Sequence, residues 1–407
     1  MEKKIIIGDF EYDITNFKHP GGSVINYLTQ GQDATKAFEE FHYRSKKAKQ
    51  VLKSLPNKKW EKNAAHDSDK EMLADFANFR KSLEDRGYFR TNYIHVCFRM
   101  IEVISIYLLA AYMIKYNIFL SVLLFGLSGA RSGWIQHEGG HNSLTGNIKI
   151  DKQIQNIFIG FFLLCDSNVW NGMHNKHHAT PQKIGYDIDL ATEPLVAFYD
   201  NSLETKHKSY LSKLWMTYQA YTFLPITSGI IVMQFWTFYL HPRKVIADKN
   251  FVQAFYIFAG HVTRILLYMN AAKVSFLCAF FYHFTCMWIS GMYLFGHFSL
   301  SHTFTPTVSK DENPNWVRYA IEHTVDISPN SALVSWIMGY LNFQVIHHLF
   351  PSMPQFYGKE VSKELTQFCK KWDIKYNIID YKDAWYEMFN NLNTVGETMY
   401  VANNLEK

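Results

Sequence analysis

Apolar and polar positions alternate in character along the chain. A short apolar run, KIIIGDFEYDI (residues 4–14), predicts a strand, and the glycine-punctuated stretch from Gly21 to Leu55 predicts short helices. Residues 54–70, which include PNKKWEKNAAHDSDK, are polar and charged without period and read as a linker. From 71 to 89 the helical period returns, with Leu73, Phe76, Phe79 and Leu83 on one face. That pattern predicts an amphipathic helix lying on a membrane or on a folded body.

Two long apolar stretches follow, 96–114 and 117–130, their cores separated by only KYN. They read as a transmembrane hairpin. Lys and Arg before it, and Arg131 after it, predict that both of its ends face the cytosol. Three further apolar stretches lie at about 219–240, 252–269 and 273–295. Histidine clusters stand on both sides of these three, so a shared site requires an even number of crossings between them. The reading takes 252–295 as the second hairpin and 219–240 as interfacial or re-entrant, against the presence of His261 and Arg264 inside that hairpin. The expected organisation is a small soluble domain at 1–53, a linker at 54–70 and a membrane domain at 71–407.

Composition refines this picture. Hydrophobic residues make up 48% of the chain, yet mean hydropathy is only −0.15, which implies membrane segments joined to a substantial polar part. The formal charge of +5 suits an anionic bilayer surface. Without a basic stripe interleaved with aromatics, no nucleic-acid partner is expected. Five scattered cysteines with no CxxC pairing make a disulfide framework unexpected. The start, MEKKIIIGDFEYD, is too short in apolar residues for a signal peptide and predicts a cytosolic N-terminus.

The first chemical signal is YDITNFKHPGG, in which Pro-Gly-Gly sets His19 on a tight turn that a flat ligand can approach closely. A second histidine, His42, follows in EEFHYRS. On these residues and the intervening GQDAT the segment resembles the cytochrome b5 domain, a small α+β heme-binding fold. The resemblance implies heme b with His19 and His42 as axial ligands, and a one-electron carrier.

Seven of the 18 histidines fall into three clusters. His137 and His141 stand four apart, while His174, His177 and His178 share one helical face, as do Gln344, His347 and His348. His137-Glu138-Gly139-Gly140-His141 also fits the H-E-x-x-H zinc-peptidase pattern, but such an enzyme has no use for two further clusters or a heme domain. The clusters, the HHLFPSMP tail and the fused b5 segment resemble the front-end fatty acyl desaturases, which are membrane di-iron enzymes. That resemblance implies an all-α integral membrane domain of about four spanning helices with a cytosolic histidine-rich cap. It implies two iron ions held by His137, His141, His174, His177, His178, His347 and His348, with Gln344 replacing the first histidine of the third box. A further ligand is implied near the end of the last spanning helix, at His297, with His302 as its rival.

Glu138 stands where the family usually has Asp, and a carboxylate there can still orient an imidazole that binds metal. Asp187 and Asp189 either do the same or cap and solvate a turn. His66, His95, His207, His241, His261, His283 and His323 have no spacing partners and read as surface or core groups, with His323 the one to watch.

The implied activity is an O2-dependent oxidoreductase that inserts a cis double bond between an existing one and the carboxyl end. The implied position is Δ6 on C18 polyunsaturated chains, with Δ5 on C20 chains and sphingolipid long-chain bases as alternatives. The implied partners are a fatty acyl substrate carried on coenzyme A or phospholipid, an NADH-cytochrome b5 reductase and the bilayer. The implied location is the endoplasmic reticulum, with both termini and the histidines cytosolic. A lipid hydroxylase, a heme carrier with inactive boxes and a membrane zinc peptidase are the competing readings.

Overall fold

The computed structural model describes residues 2–29, 33–60, 69–200 and 209–404. Residues 61–68 of the predicted linker, which include His66, together with His207 and the start of GQDAT, lie outside the described residues. The N-terminal domain is mixed α/β. The apolar run predicted as one strand is a hairpin of β1 (Lys4–Ile7) and β2 (Phe10–Asp13), because Gly8 and Asp9 turn the chain back. Ile5, Ile7 and Tyr12 from these strands meet Ile25, Leu28, Phe38 and Leu52 in a small core. Those partners come partly from two short helices, α1 (Thr35–Phe41) and α2 (Lys46–Ser54).

A third strand, β3 (Asn57–Lys59), pairs antiparallel with β2. The domain therefore runs past residue 53, and the expected boundary is corrected. All three β3 side chains are exposed, so the strand has no apolar alternation and reads as linker from its sequence.

The amphipathic helix is α3 (Lys70–Asp85). Its apolar face packs on the protein body rather than on lipid: Met72, Phe76 and Leu83 join Phe350, Leu365 and Phe368 in one buried cluster. The hairpin consists of α4 (Tyr93–Met113) and α5 (Ile118–Gly140). Asn92 and Asn117 start these helices by accepting hydrogen bonds from His95 N and Leu120 N, both at 3.0 Å. Polar side chains inside the bundle bond to neighbouring backbone, as with Ser128 Oγ to Val103 O and Ser290 Oγ to Gly126 O. Such bonds satisfy polar groups where lipid offers no partner.

Five helices among the described residues are long and apolar enough to cross a membrane: α4, α5, Gln219–Ala247, Phe251–Ala271 and Phe276–Ser299. The helix Gln219–Ala247 differs from the others. It contains π-type turns at Phe223–Val232 and Trp236–Leu240. Gln219 at its start donates to Leu392 O and Ala197 O, and His241 near its end accepts from Asp166 N. Both of its ends are thus tied to segments that pack around the histidines.

Candidate functional site

The end of α5 brings in the first histidines. This helix runs about ten residues past the predicted apolar stretch, so His137 lies within it and His141 ends it. The adjacent glycines, poor helix formers, serve close packing here. A Cβ on Gly139 would sit 3.0 Å from Gln155 Cβ, and one on Gly140 would sit 2.7 Å from Trp170 and Asn171. Those neighbours belong to α6 (Ile148–Ile157) and α7 (Ser167–Ala179).

Helix α7, capped by Asp166 Oδ1 accepting from Val169 N at 2.7 Å, presents His174, His177 and His178. The third box lies on the short helix Gln344–Leu349. Val345, Ile346 and Leu349 anchor that helix in the cluster around Phe76 and Phe350. Asp326 Oδ1 accepts from Val345 N at 2.8 Å at its start.

These elements form two groups of imidazoles. His137, His141, His174, His178 and His347 each offer a ring nitrogen, and these atoms all lie within 4.8 Å of one another. His177, His302 and His348 form a second group under the same limit. The groups adjoin through the stacked rings of His178 and His348, 4.3 Å apart. Gln344 borders the second group, its amide nitrogen 2.9 Å from His302 Nε2 and 3.3 Å from His348 Nε2.

His302, the rival position, therefore lies in this group, and His297, the expected one, does not. His297 places Nδ1 2.7 Å from Tyr293 O and Nε2 2.9 Å from the Tyr381 hydroxyl. Both of its nitrogens are engaged away from the cluster. His302 lies beyond the helix end, in the turn that follows Ser299, and that turn carries it onto His177 and His348.

Both groups fit metal ions. Ligands about 2.1 Å from a shared metal are separated by roughly 3 to 4 Å, and the 4.8 Å limit on these atoms leaves room for that arrangement. Among the described residues the buried Nε2 atoms of His137 and His141 have no hydrogen-bond partner, as expected of lone pairs that a metal would take. Burial, reinforced for most of these rings by neighbouring imidazoles, pushes His174, His178, His302, His347 and His348 well below the usual histidine range, and burial alone holds His141 at about 3. The shift favours the neutral form, which is the one that binds metal.

The rings are oriented from behind in two ways. His177 Nδ1 lies 3.0 Å from both oxygens of buried Asp187 and 3.3 Å from Asp189 Oδ2. Burial disfavours the imidazolium, but these carboxylates outweigh it and push His177 up to about 9. Asp187 is itself held by Gln182 N and Asp189 N, at 2.7 and 2.9 Å.

For His137 the orienting group is Gln355, whose side-chain oxygen accepts from Nδ1–H at 2.9 Å. The Gln355 nitrogen then donates to Glu138 Oε1 and Gly339 O. Glu138 orients no ring directly. It is buried in an ion pair with Arg99 at 3.2 Å and accepts from Gln355 N. A glutamate so engaged cannot serve as the base of a peptidase.

Of the histidines set aside, His323 donates from Nδ1 to Pro306 O at 2.6 Å and joins neither group. His261 and His283 pair with each other at 2.9 Å, away from the site.

In the N-terminal domain the His19 and His42 rings lie edgewise to one another with centroids 5.9 Å apart. His42 Nδ1 lies 3.1 Å from Phe38 O, which leaves Nε2 for a ligand. A Cβ on Gly21 would sit 2.7 Å from the His19 ring, so glycine is required beside it. These features fit a heme held between two imidazoles.

Comparison with known proteins agrees with this geometry. Residues 116–379 match the fatty acid desaturase family, and residues 4–76 match the cytochrome b5-like heme/steroid binding domain. The chain belongs to the fatty acid desaturases, with a fused b5-like domain at its N-terminus, and is an oxidoreductase of that family. Two relatives are each described as an acyl-lipid (8-3)-desaturase. The one from Thraustochytrium sp is 37% identical across 98% of this chain and 93% of its own length. The one from Rebecca salina is 39% identical across 97% and 92%. A Δ6 fatty-acid desaturase of Caenorhabditis elegans is 26% identical across 93% and 92%.

Proposed function

We propose that the chain is a front-end desaturase acting on a polyunsaturated acyl lipid, with an iron ion in each imidazole group and electrons delivered through the b5-like domain. The observation that carries this reading is the pair of adjoining histidine groups, set beside a heme-binding fold on the same chain. Iron bound there supplies the redox chemistry with dioxygen that removes two hydrogens from an unactivated acyl chain.

The residues of the chain do the rest. Neutral imidazoles in the five-imidazole group leave its metal highly charged, and His177 gives up its raised proton when a metal takes Nε2. Asp187 and Gln355 hold ring nitrogens in register, and the buried Arg99–Glu138 pair backs the Gln355 segment. Four helices cross the bilayer: α4, α5, Phe251–Ala271 and Phe276–Ser299. Convergence of His141 and His302 at one end of the bundle supports an even count, as do the two tied ends of Gln219–Ala247. An NADH-dependent reductase at an endoplasmic reticulum membrane, with the histidines on the cytosolic side, completes the proposal.

For double-bond position, the names of the 37% and 39% relatives favour an (8-3) position on an acyl lipid. The Δ6 reading on C18 chains rests on family resemblance and on a relative at 26% identity. The test is the fatty acid profile of a microbial host lacking polyunsaturates, fed C18 and C20 substrates and expressing either the chain or its His178→Ala variant. New unsaturation at one position, absent with the variant, is expected. No new unsaturation from a well-expressed, heme-loaded protein would overturn the proposal.

A further inference from the structure

One cavity, of about 390 Å³, is walled by both domains, and its size is that of a ligand site. One side is the heme-binding fold, with His19, Phe38 and His42. The facing wall comes from the membrane domain and includes His141, Asn175 and Ser352. These three lie at the end of α5, on α7 and in the loop after the third box, so the segments that carry the metal-site histidines also close the cavity.

The closure is held by specific contacts. Glu40 of α1 is buried against Arg80 of α3 at 2.8 Å, and Tyr43 donates to Glu84 at 3.0 Å. Arg44 donates to Phe89 O and Ser352 O, at 2.6 and 3.4 Å. Phe41, next to His42, packs edgewise on Trp316 and on His178 with ring centroids 6.0 Å away in each case. Ser352 is only 3% exposed and its hydroxyl has no hydrogen-bond partner among the described residues. A buried hydroxyl left in this way calls for a ligand or water in the cavity it lines.

We propose that the membrane domain supplies the closing wall of the heme pocket, so that Ser352 and Asn175 meet the bound heme and docking governs its retention. The inference rests on the b5-like reading of His19 and His42, and adds that the heme site is composite. It also makes His141 a wall of the heme cavity as well as a member of the five-imidazole group, so the two centres are neighbours in the docked chain.

The test is heme transfer from the full-length protein in detergent to excess apomyoglobin, followed by visible absorption. Two variants are compared with the parent. Ser352→Trp fills the wall, and Arg80→Glu sets like charges against Glu40 and loosens docking. Heme release roughly tenfold faster in either variant, at unchanged circular dichroism, is expected for the loss of about 1.4 kcal/mol of retention. Release at the parental rate from both folded variants would overturn the composite wall while leaving the b5-like reading intact. A parent that binds no heme would overturn both.

Discussion

The two imidazole groups adjoin through His178 and His348, yet they are backed by different chemistry. Behind the five-imidazole group the orienting residue is an amide, Gln355, supported by the neutralised Arg99–Glu138 pair. Behind the three-imidazole group it is a carboxylate, Asp187, with Asp189 beside it. An amide oxygen fixes a ring's tautomer and direction. A carboxylate does that and also makes the opposite ring nitrogen more basic. A metal in the five-imidazole group would therefore rely on the number of its ligands and one in the other group on their strength, so that two metals held there would sit in unequal fields.

The largest test of this comparison is the membership of the weaker-numbered group. His302→Ala should cost one of two metals per chain and abolish desaturation, because two imidazoles and Gln344 are left. His297→Gln should keep both metals, since His297 bonds to Tyr293 and Tyr381 instead. Metal content by mass spectrometry separates the two cases, and metal loss from the His297 variant would reinstate it as a ligand.

Asp187→Asn comes next. Removing a partner of this kind typically lowers metal affinity about 10- to 100-fold. The loss should be confined to one of the two sites in a competitive chelator titration. Equal weakening of both sites would mean that Asp187 supports the fold around α7 rather than His177.

Gln355→Met keeps the size of the side chain but cannot accept from His137 Nδ1–H. With four other imidazoles in the group, the effect should lie near the low end of that range, about tenfold. It should fall on the opposite site from the Asp187 variant. The double variant should then show nearly additive losses, and strong coupling between them would argue against independent backing.

How far these residues were legible follows from their chemistry. The three boxes are readable because a helical period repeats within each, and the b5-like segment because HPGG and a second histidine recur in a known context. His302 has no such period: it is a single histidine brought to the site by a turn after a long helix. Gln355 is an ordinary polar residue in sequence, and its role exists only once the loop after the third box folds back on α5. Asp187 is intermediate, since its place just after box two marked it without deciding between capping and orienting. Strand β3 was hidden by its exposed lysines, and the π-type turns in Gln219–Ala247 by an apolar run that reads like any other span.

The smallest effect concerns the helix that serves both groups, since Gln344–Leu349 sends His347 to one and His348 to the other. Asp326 caps its start and also accepts from the Tyr376 hydroxyl. Burial outweighs these two bonds and pushes the carboxyl up to about 7, against about 3.9 in an unfolded chain. With the folded value raised, the unfolded chain gives up its proton first, so this group lowers stability as pH rises from about 4 to about 7 and adds no slope beyond. Asp326→Asn keeps an oxygen for Val345 N–H and cannot ionise. Its melting temperature should therefore change less between pH 5 and pH 8 than the parent's, with desaturation nearly unaltered. A steeper pH dependence in the variant, or metal loss from both sites at once, would show that the carboxylate charge itself holds the shared helix in place.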